Sequence, residues 1–115
     1  MCEKAQLDSI LASIAHHAKN TFRQQLEAVI LYGSYARGDF DMGSDIDVMV
    51  LVDLSAEELV KYRKEFFDLA AELSLHNADC TTVSLMLKDK ATFEKWLPVM
   101  PFYQNVVREG VRVSA

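Results

Sequence analysis

The stretch Val29–Val52, VILYGSYARGDFDMGSDIDVMVLV, constrains this chain more than any other. Two apolar runs flank a turn-rich segment that carries a Gly-Ser pair and several aspartates. Val29–Tyr32 reads as a short buried strand. Gly33-Ser34 ends it, and Ser34 is expected to cap a helical turn through Tyr35, Ala36 and Arg37. Gly38 and Gly43 break the chain again, and Asp45–Val52 reads as a second strand. Side chains alternate along a strand. Asp45 and Asp47 are therefore expected on one face, with Ile46, Val48, Val50 and Val52 on the other.

That geometry has chemical content. Two carboxylates two residues apart on one strand face can converge on a hard cation such as Mg²⁺. A glycine at the preceding corner lets backbone approach a phosphate, and the amides of the turn after it favour an anion. A cation-bound triphosphate would join the two halves. Taken singly, Gly-Ser is a common turn and Asp-x-Asp a common solvated segment. Together they stand at the start of a hydrophobic strand, where two like charges are costly without a cation. Asp39 and Asp41 add further negative charge.

The segment GSYARGDFDMGSDID resembles the signature of the DNA polymerase beta-like nucleotidyltransferase superfamily: Gly-Ser, ten residues, then Asp-x-Asp. Here Tyr35–Ser44 supply the ten residues between Gly33-Ser34 and Asp45-Ile46-Asp47. The small size resembles the minimal nucleotidyltransferase branch, whose members are often antitoxins encoded beside an all-helical HEPN toxin. The resemblance implies an α+β fold, a small mixed sheet flanked by helices, with residues 1–115 as one minimal nucleotidyltransferase domain. It implies Mg²⁺ as cofactor and ATP as nucleotide donor. Asp45 and Asp47 would be catalytic metal ligands, and Gly33 and Ser34 would bind the β and γ phosphates. Arg37 would either reach a phosphate or pair with a nearby aspartate. Nucleotidyltransferases of this type commonly use a third carboxylate, on a strand beside the Asp-x-Asp strand, as metal ligand and base. Asp79 is the best-placed candidate, with an ordinary turn role as its alternative; Asp53 and His76 are weaker ones.

Length and composition agree with one small domain. Half of the 115 residues are hydrophobic, enough to bury a core. The formal charge of −5 argues against direct binding to a nucleic-acid backbone. Cys2 and Cys80 lack metal-binding spacing and read as free thiols of a cytoplasmic protein. Met1–Ile14 is interrupted by Glu3, Lys4, Gln6 and Asp8, so neither a signal peptide nor a membrane span is expected.

Residues 4–26 predict an amphipathic helix with Leu7, Ile10, Leu11, Ile14, Ala18, Phe22 and Leu26 as its core stripe. His16 and His17 are adjacent, face different directions and cannot chelate one ion together. Ser55-Ala56-Glu57-Glu58 is a capping box that opens a helix to about Leu75. Leu59, Tyr62, Phe66, Leu69, Ala70 and Leu73 form its buried stripe, with Lys61, Arg63 and Lys64 on a solvated face. Asp79–Leu87 predicts a third strand. Lys88–Leu97 predicts a short helix with Phe93, Trp96 and Leu97 inward. Pro101 opens a final helix that Gly110 ends, with Phe102, Tyr103, Val106 and Val107 in the core, and Val111–Val113 predicts a last short strand.

Three functions follow in order. The first is a Mg²⁺-dependent enzyme that transfers AMP from ATP to a hydroxyl of a partner, a HEPN-type toxin tyrosine in the antitoxin branch. The second is an inert module of the same fold that neutralises a toxin by contact. The third is a nucleotide sensor.

Overall fold

The structure, a computed structural model, describes residues 3–77 and 82–113. Helix α1 spans Lys4–Phe22 and β1 Leu26–Tyr32, followed by a one-turn helix α2, Ser34–Arg37. Strand β2 covers Ile46–Val52. Helices α3 (Ala56–Leu59) and α4 (Arg63–His76) come next, then β3 (Val83–Asp89), α5 (Lys90–Trp96), α6 (Pro101–Glu109) and β4 (Val111–Arg112).

The sheet order is β3-β2-β1-β4. β1 runs antiparallel to β2 and β4, whereas β2 and β3 are parallel, joined by the α3–α4 crossover. The sheet is therefore mixed, with helices on both faces. Ile46, Val48, Val50 and Val52 pack with Val29 and Leu31 against α1 and α4, through Ile10, Ile14, Ala18 and Phe66. The opposite face carries Ala28, Ile30, Met49 and Leu51 under Phe93 of α5 and Tyr103 and Val106 of α6. Each fully buried Ile, Val or Phe contributes about 1.5–3 kcal/mol, and β2, apolar on both faces, is the centre of that burial.

Several boundaries differ from the sequence pattern for local reasons. α1 stops at Phe22, because Arg23 takes φ +52° and leads through a 3₁₀ turn, Arg23–Gln25, into β1. Leu26 thus belongs to the sheet rather than to the helical stripe. The helix expected from Ser55 is capped as read, with Ser55 Oγ accepting from the Glu58 amide and Glu58 accepting from the Ser55 amide. It is interrupted by a 3₁₀ segment, Val60–Tyr62. Arg63 is exposed, as expected, and also donates to the Leu87 carbonyl of β3 at 3.1 Å.

β3 runs two residues beyond its expected end, and the helix after it starts at Lys90 with Asp89 as N-cap, accepting from the Thr92 amide at 2.9 Å. Trp96, expected inward, is exposed, and Phe93 is the buried residue of α5. Phe102 and Val107 are exposed because only the Tyr103–Val106 edge of α6 meets the sheet. The last strand closes at Arg112 rather than Val113. Gly110 ends α6 as expected, though with φ −69°. A Cβ there would run into the Val106 carbonyl oxygen and Ile30 Cγ2, so close packing rather than a left-handed turn requires the glycine.

Candidate active site

The site is assembled at the rim of the sheet where β1 ends and β2 begins. Tyr32 is the register partner of Asp47 across the antiparallel ladder. The next residue, Gly33, therefore turns over the Asp47 side chain. Gly33 has φ +77°, and a Cβ at this position would lie 2.5 Å from Asp47 Oδ2. Both the turn and the carboxylate beside it need the hydrogen side chain. Gly33, not Ser34, is the N-cap of α2, and no side chain caps this turn. Ser34 is instead its first helical residue, where helical geometry leaves the amide without an intrahelical acceptor.

Asp47 emerges on the face opposite Ile46 and Val48, as strand alternation requires, and is half-buried. Asp45 precedes β2 and is exposed. Burial pushes the Asp47 carboxyl above the usual carboxylate range, the Asp45 charge adds to the rise, and Arg37 offsets part of it. The Tyr32 phenol is pushed up to about 12, by burial first and then by the charge of Asp47. Asp45, Asp47 and Arg37 thus share one electrostatic neighbourhood.

The aspartates of the intervening loop do other work. Asp39 accepts from Arg37 Nε at 3.2 Å. Asp41 closes a turn, accepting from the Gly43 amide at 2.9 Å, while its own amide donates to Ser44 Oγ at 2.9 Å. Arg37 also reaches Glu109 of α6 at 3.3 Å.

Tyr32, Gly33, Arg37 and Asp47 form one wall of a cleft of about 200 Å³. The other wall is α6, through Phe102, Asn105, Val106 and Glu109. This second wall was missed in the sequence, although spacing of three and four residues along an amphipathic helix marks one face. Asp45 is not among the residues lining this cleft; it borders a larger groove, about 830 Å³, between α4 and β3. A hollow of about 880 Å³ at Lys19–Gln25 holds no carboxylate, so size does not identify the site and convergence of charge does.

Among the described residues no group of three or more His, Cys, Asp or Glu side chains is gathered to hold a metal ion. Asp79 lies outside the described residues. Two adjacent carboxylates, one of them desolvated and both repelled, are nonetheless a fitting donor set for Mg²⁺. That ion usually takes one or two carboxylates plus substrate phosphates and water. His17 plays no part here: its Nε2 lies 2.8 Å from Glu65 Oε2, joining α1 to α4. No helix among the described residues is long and apolar enough to cross a membrane.

Comparison with known proteins identifies the family. Residues 17–107 match the family model described as "Nucleotidyltransferase domain". The chain is 29% identical over 92 residues to MJ0604 of Methanocaldococcus jannaschii, named as a candidate protein adenylyltransferase, covering 80% of this chain and 82% of that one. It is 33% identical over 70 residues to MJ0141 of the same organism, named in the same way, covering 61% of this chain and 69% of that one. The crystal structure of a candidate nucleotidyltransferase from Sulfolobus solfataricus is similar in fold, with a TM-score of 0.53 and 22% identity. That match spans 96% of this chain and 87% of the other.

Proposed function

Because the chain belongs to the nucleotidyltransferase domain family and is a nucleotidyltransferase, we propose that it transfers AMP from ATP to a hydroxyl of a partner protein. Residues 1–115 act in this reading as one minimal nucleotidyltransferase domain in the cytoplasm. The observation that carries it is the contact of the bare Gly33 corner with the Asp47 carboxylate, with Arg37 in the same cleft and the Asp45 charge felt at Asp47. Elements suited to phosphate and to a cation meet there.

Asp45 and Asp47 would hold Mg²⁺, which when bound neutralises the triphosphate and lowers the charge that the leaving pyrophosphate must carry. Gly33 and the Ser34 amide and hydroxyl receive the β and γ phosphates, and Arg37 exchanges a carboxylate partner for a phosphate oxygen. The acceptor oxygen attacks the α-phosphorus, and the bond from that phosphorus to the β-bridging oxygen breaks. Pyrophosphate leaves, and the hydroxyl proton passes to a carboxylate, for which Asp79 is the candidate. The relatives named as protein adenylyltransferases support a protein acceptor. A helical toxin of the HEPN type, encoded beside this chain, is the partner we propose, with its tyrosine hydroxyl as the nucleophile.

Incubation with Mg²⁺, α-labelled ATP and the co-encoded partner tests this reading. Label is expected on the partner, and Asp45→Asn with Asp47→Asn should abolish it. Neutralisation of the partner without any label transfer, by wild type and double variant alike, would leave a binding module instead.

A further inference from the structure

Resting on the reading above, we propose that α6 is the nucleoside wall of the cleft, with a purine base stacked on Phe102 and hydrogen-bonded by Asn105. The two walls differ in chemistry. Gly33, Arg37 and Asp47 suit phosphate and cation, whereas α6 presents an aromatic ring, an amide and an aliphatic side chain. Phe102, Asn105, Val106 and Glu109 follow spacings of three and four residues and lie on one helix face.

The cleft also has a direction. Arg37 and Glu109 meet at 3.3 Å at one end. Phe102 packs edge-to-face on Tyr32 with ring centres 5.6 Å apart, and Tyr32 is the register partner of Asp47. Phe102 and Glu109 are seven residues apart on α6, about two turns, so the aromatic ring stands at the end away from the Arg37–Glu109 pair. In a bound nucleotide the terminal phosphates face Arg37 and the α-phosphate faces Asp47. The sugar and base must then leave toward Phe102.

The state of each side chain fits that placement. Phe102 is 38% exposed, whereas Tyr103 and Val106 beside it are buried. Its ring is held by Tyr32 and Tyr103 and still offers surface to the cleft. An exposed aromatic face is a stacking platform for a base. Asn105 Oδ1 accepts from the Arg108 guanidinium. That contact orients the amide and leaves Nδ2 as a donor, which suits the acceptor nitrogens N3 and N7 of a purine. Glu109, an acceptor only, stays with Arg37 and orients it. At about 200 Å³ the cleft is smaller than pockets that engulf a ligand, about 300–1,000 Å³. The base thus lies on Phe102 with its outer face open.

Calorimetric titration of the full chain in Mg²⁺ with tripolyphosphate, ATP, GTP, CTP and UTP tests the proposal. ATP and GTP should bind at least about tenfold tighter than tripolyphosphate, with the pyrimidine nucleotides between. Phe102→Ala and Phe102→Leu should each cut the ATP-to-tripolyphosphate ratio by about tenfold, and Phe102→Trp should keep it. Asn105→Ala should narrow the purine-to-pyrimidine ratio. Circular dichroism melts verify that the variants fold. Wild type binding ATP no better than tripolyphosphate overturns the nucleoside wall and leaves the phosphate site standing. So does a Phe102 variant that weakens both ligands by one factor or neither. No Mg²⁺-dependent binding of any of the five ligands overturns the triphosphate site and this proposal together.

Discussion

Gly33 and Asp47 occupy each other's space: a methyl group on one would sit 2.5 Å from the carboxylate oxygen of the other. The corner between β1 and α2 and the carboxylate of β2 are thus one unit, brought together by the pairing of Tyr32 with Asp47.

Gly33→Ala should therefore damage function more than stability. Alanine at φ +77° is strained by about 1 kcal/mol, and the new methyl displaces Asp47. A melting temperature lower by roughly 4–8 °C is expected, together with a fall in nucleotidyl transfer of at least about a hundredfold. Transfer within threefold of wild type would contradict the unit.

Asp47→Asn should abolish transfer yet stabilise the metal-free protein. The raised carboxyl of Asp47 comes first from burial and then from Asp45. The folded chain holds this proton more tightly than the unfolded chain, so the associated stability is present at low pH and lost as pH rises through the raised value. In EDTA the variant should melt above wild type at pH 7, and the gap should close as pH falls into the carboxylate range. Adding Mg²⁺ with ATP should raise the melting temperature of wild type only.

Tyr32 should stay protonated across the working range, since burial and Asp47 push its phenol up to about 12. Ultraviolet titration should show a late-ionising component that disappears in Tyr32→Phe. The alkaline limb of the pH–rate profile should be the same in both proteins below pH 10 or so. A limb that moves in the variant would assign the phenol a proton-transfer role.

Asp89 is buried beneath the start of α5, far in the ladder from the cleft end of β2. Burial alone would raise its pKa; hydrogen bonds from the Thr92 side chain and amide outweigh it and hold the carboxyl below its usual range. Its contribution is present above the ordinary carboxylate range and lost as pH falls through the depressed value. Asp89→Ala should cost about 1–2 kcal/mol at pH 7 and Asp89→Asn much less, measured by urea unfolding. The alanine penalty should shrink in acid.

The stretch Val29–Val52 carried the strand pair, the glycine corner and the aspartates in sequence because each depends on local chemistry: alternation, turn residues and fixed spacing. Ser55 and Glu58 were legible for the same reason. What stayed hidden depends on distant packing. Nothing near Arg63 foretells its bond to the Leu87 carbonyl. Phe102 and Val107 look like core, yet only Tyr103 and Val106 of α6 pack against the sheet. Asn105 and Glu109 become site residues only because β4 returns the chain beside β1 and brings α6 to the rim. Ser34 was misassigned as a cap because the positive φ of Gly33 gives the preceding residue that place.

The ladder between β1 and β2 also acts as a ruler. It sets Asp47 against Gly33 by backbone pairing, so the distance between the two does not depend on the loop that joins them. Asp41 and Ser44 tie that loop into a closed turn of its own. Lengthening a loop adds only about 0.6 kcal/mol of closure entropy per doubling. Residues inserted near Met42, which is exposed, would bulge into solvent while Gly33 and Asp47 keep their separation, so this loop is a place where the chain can accept a new segment, even a peptide tag, without pulling that pair apart.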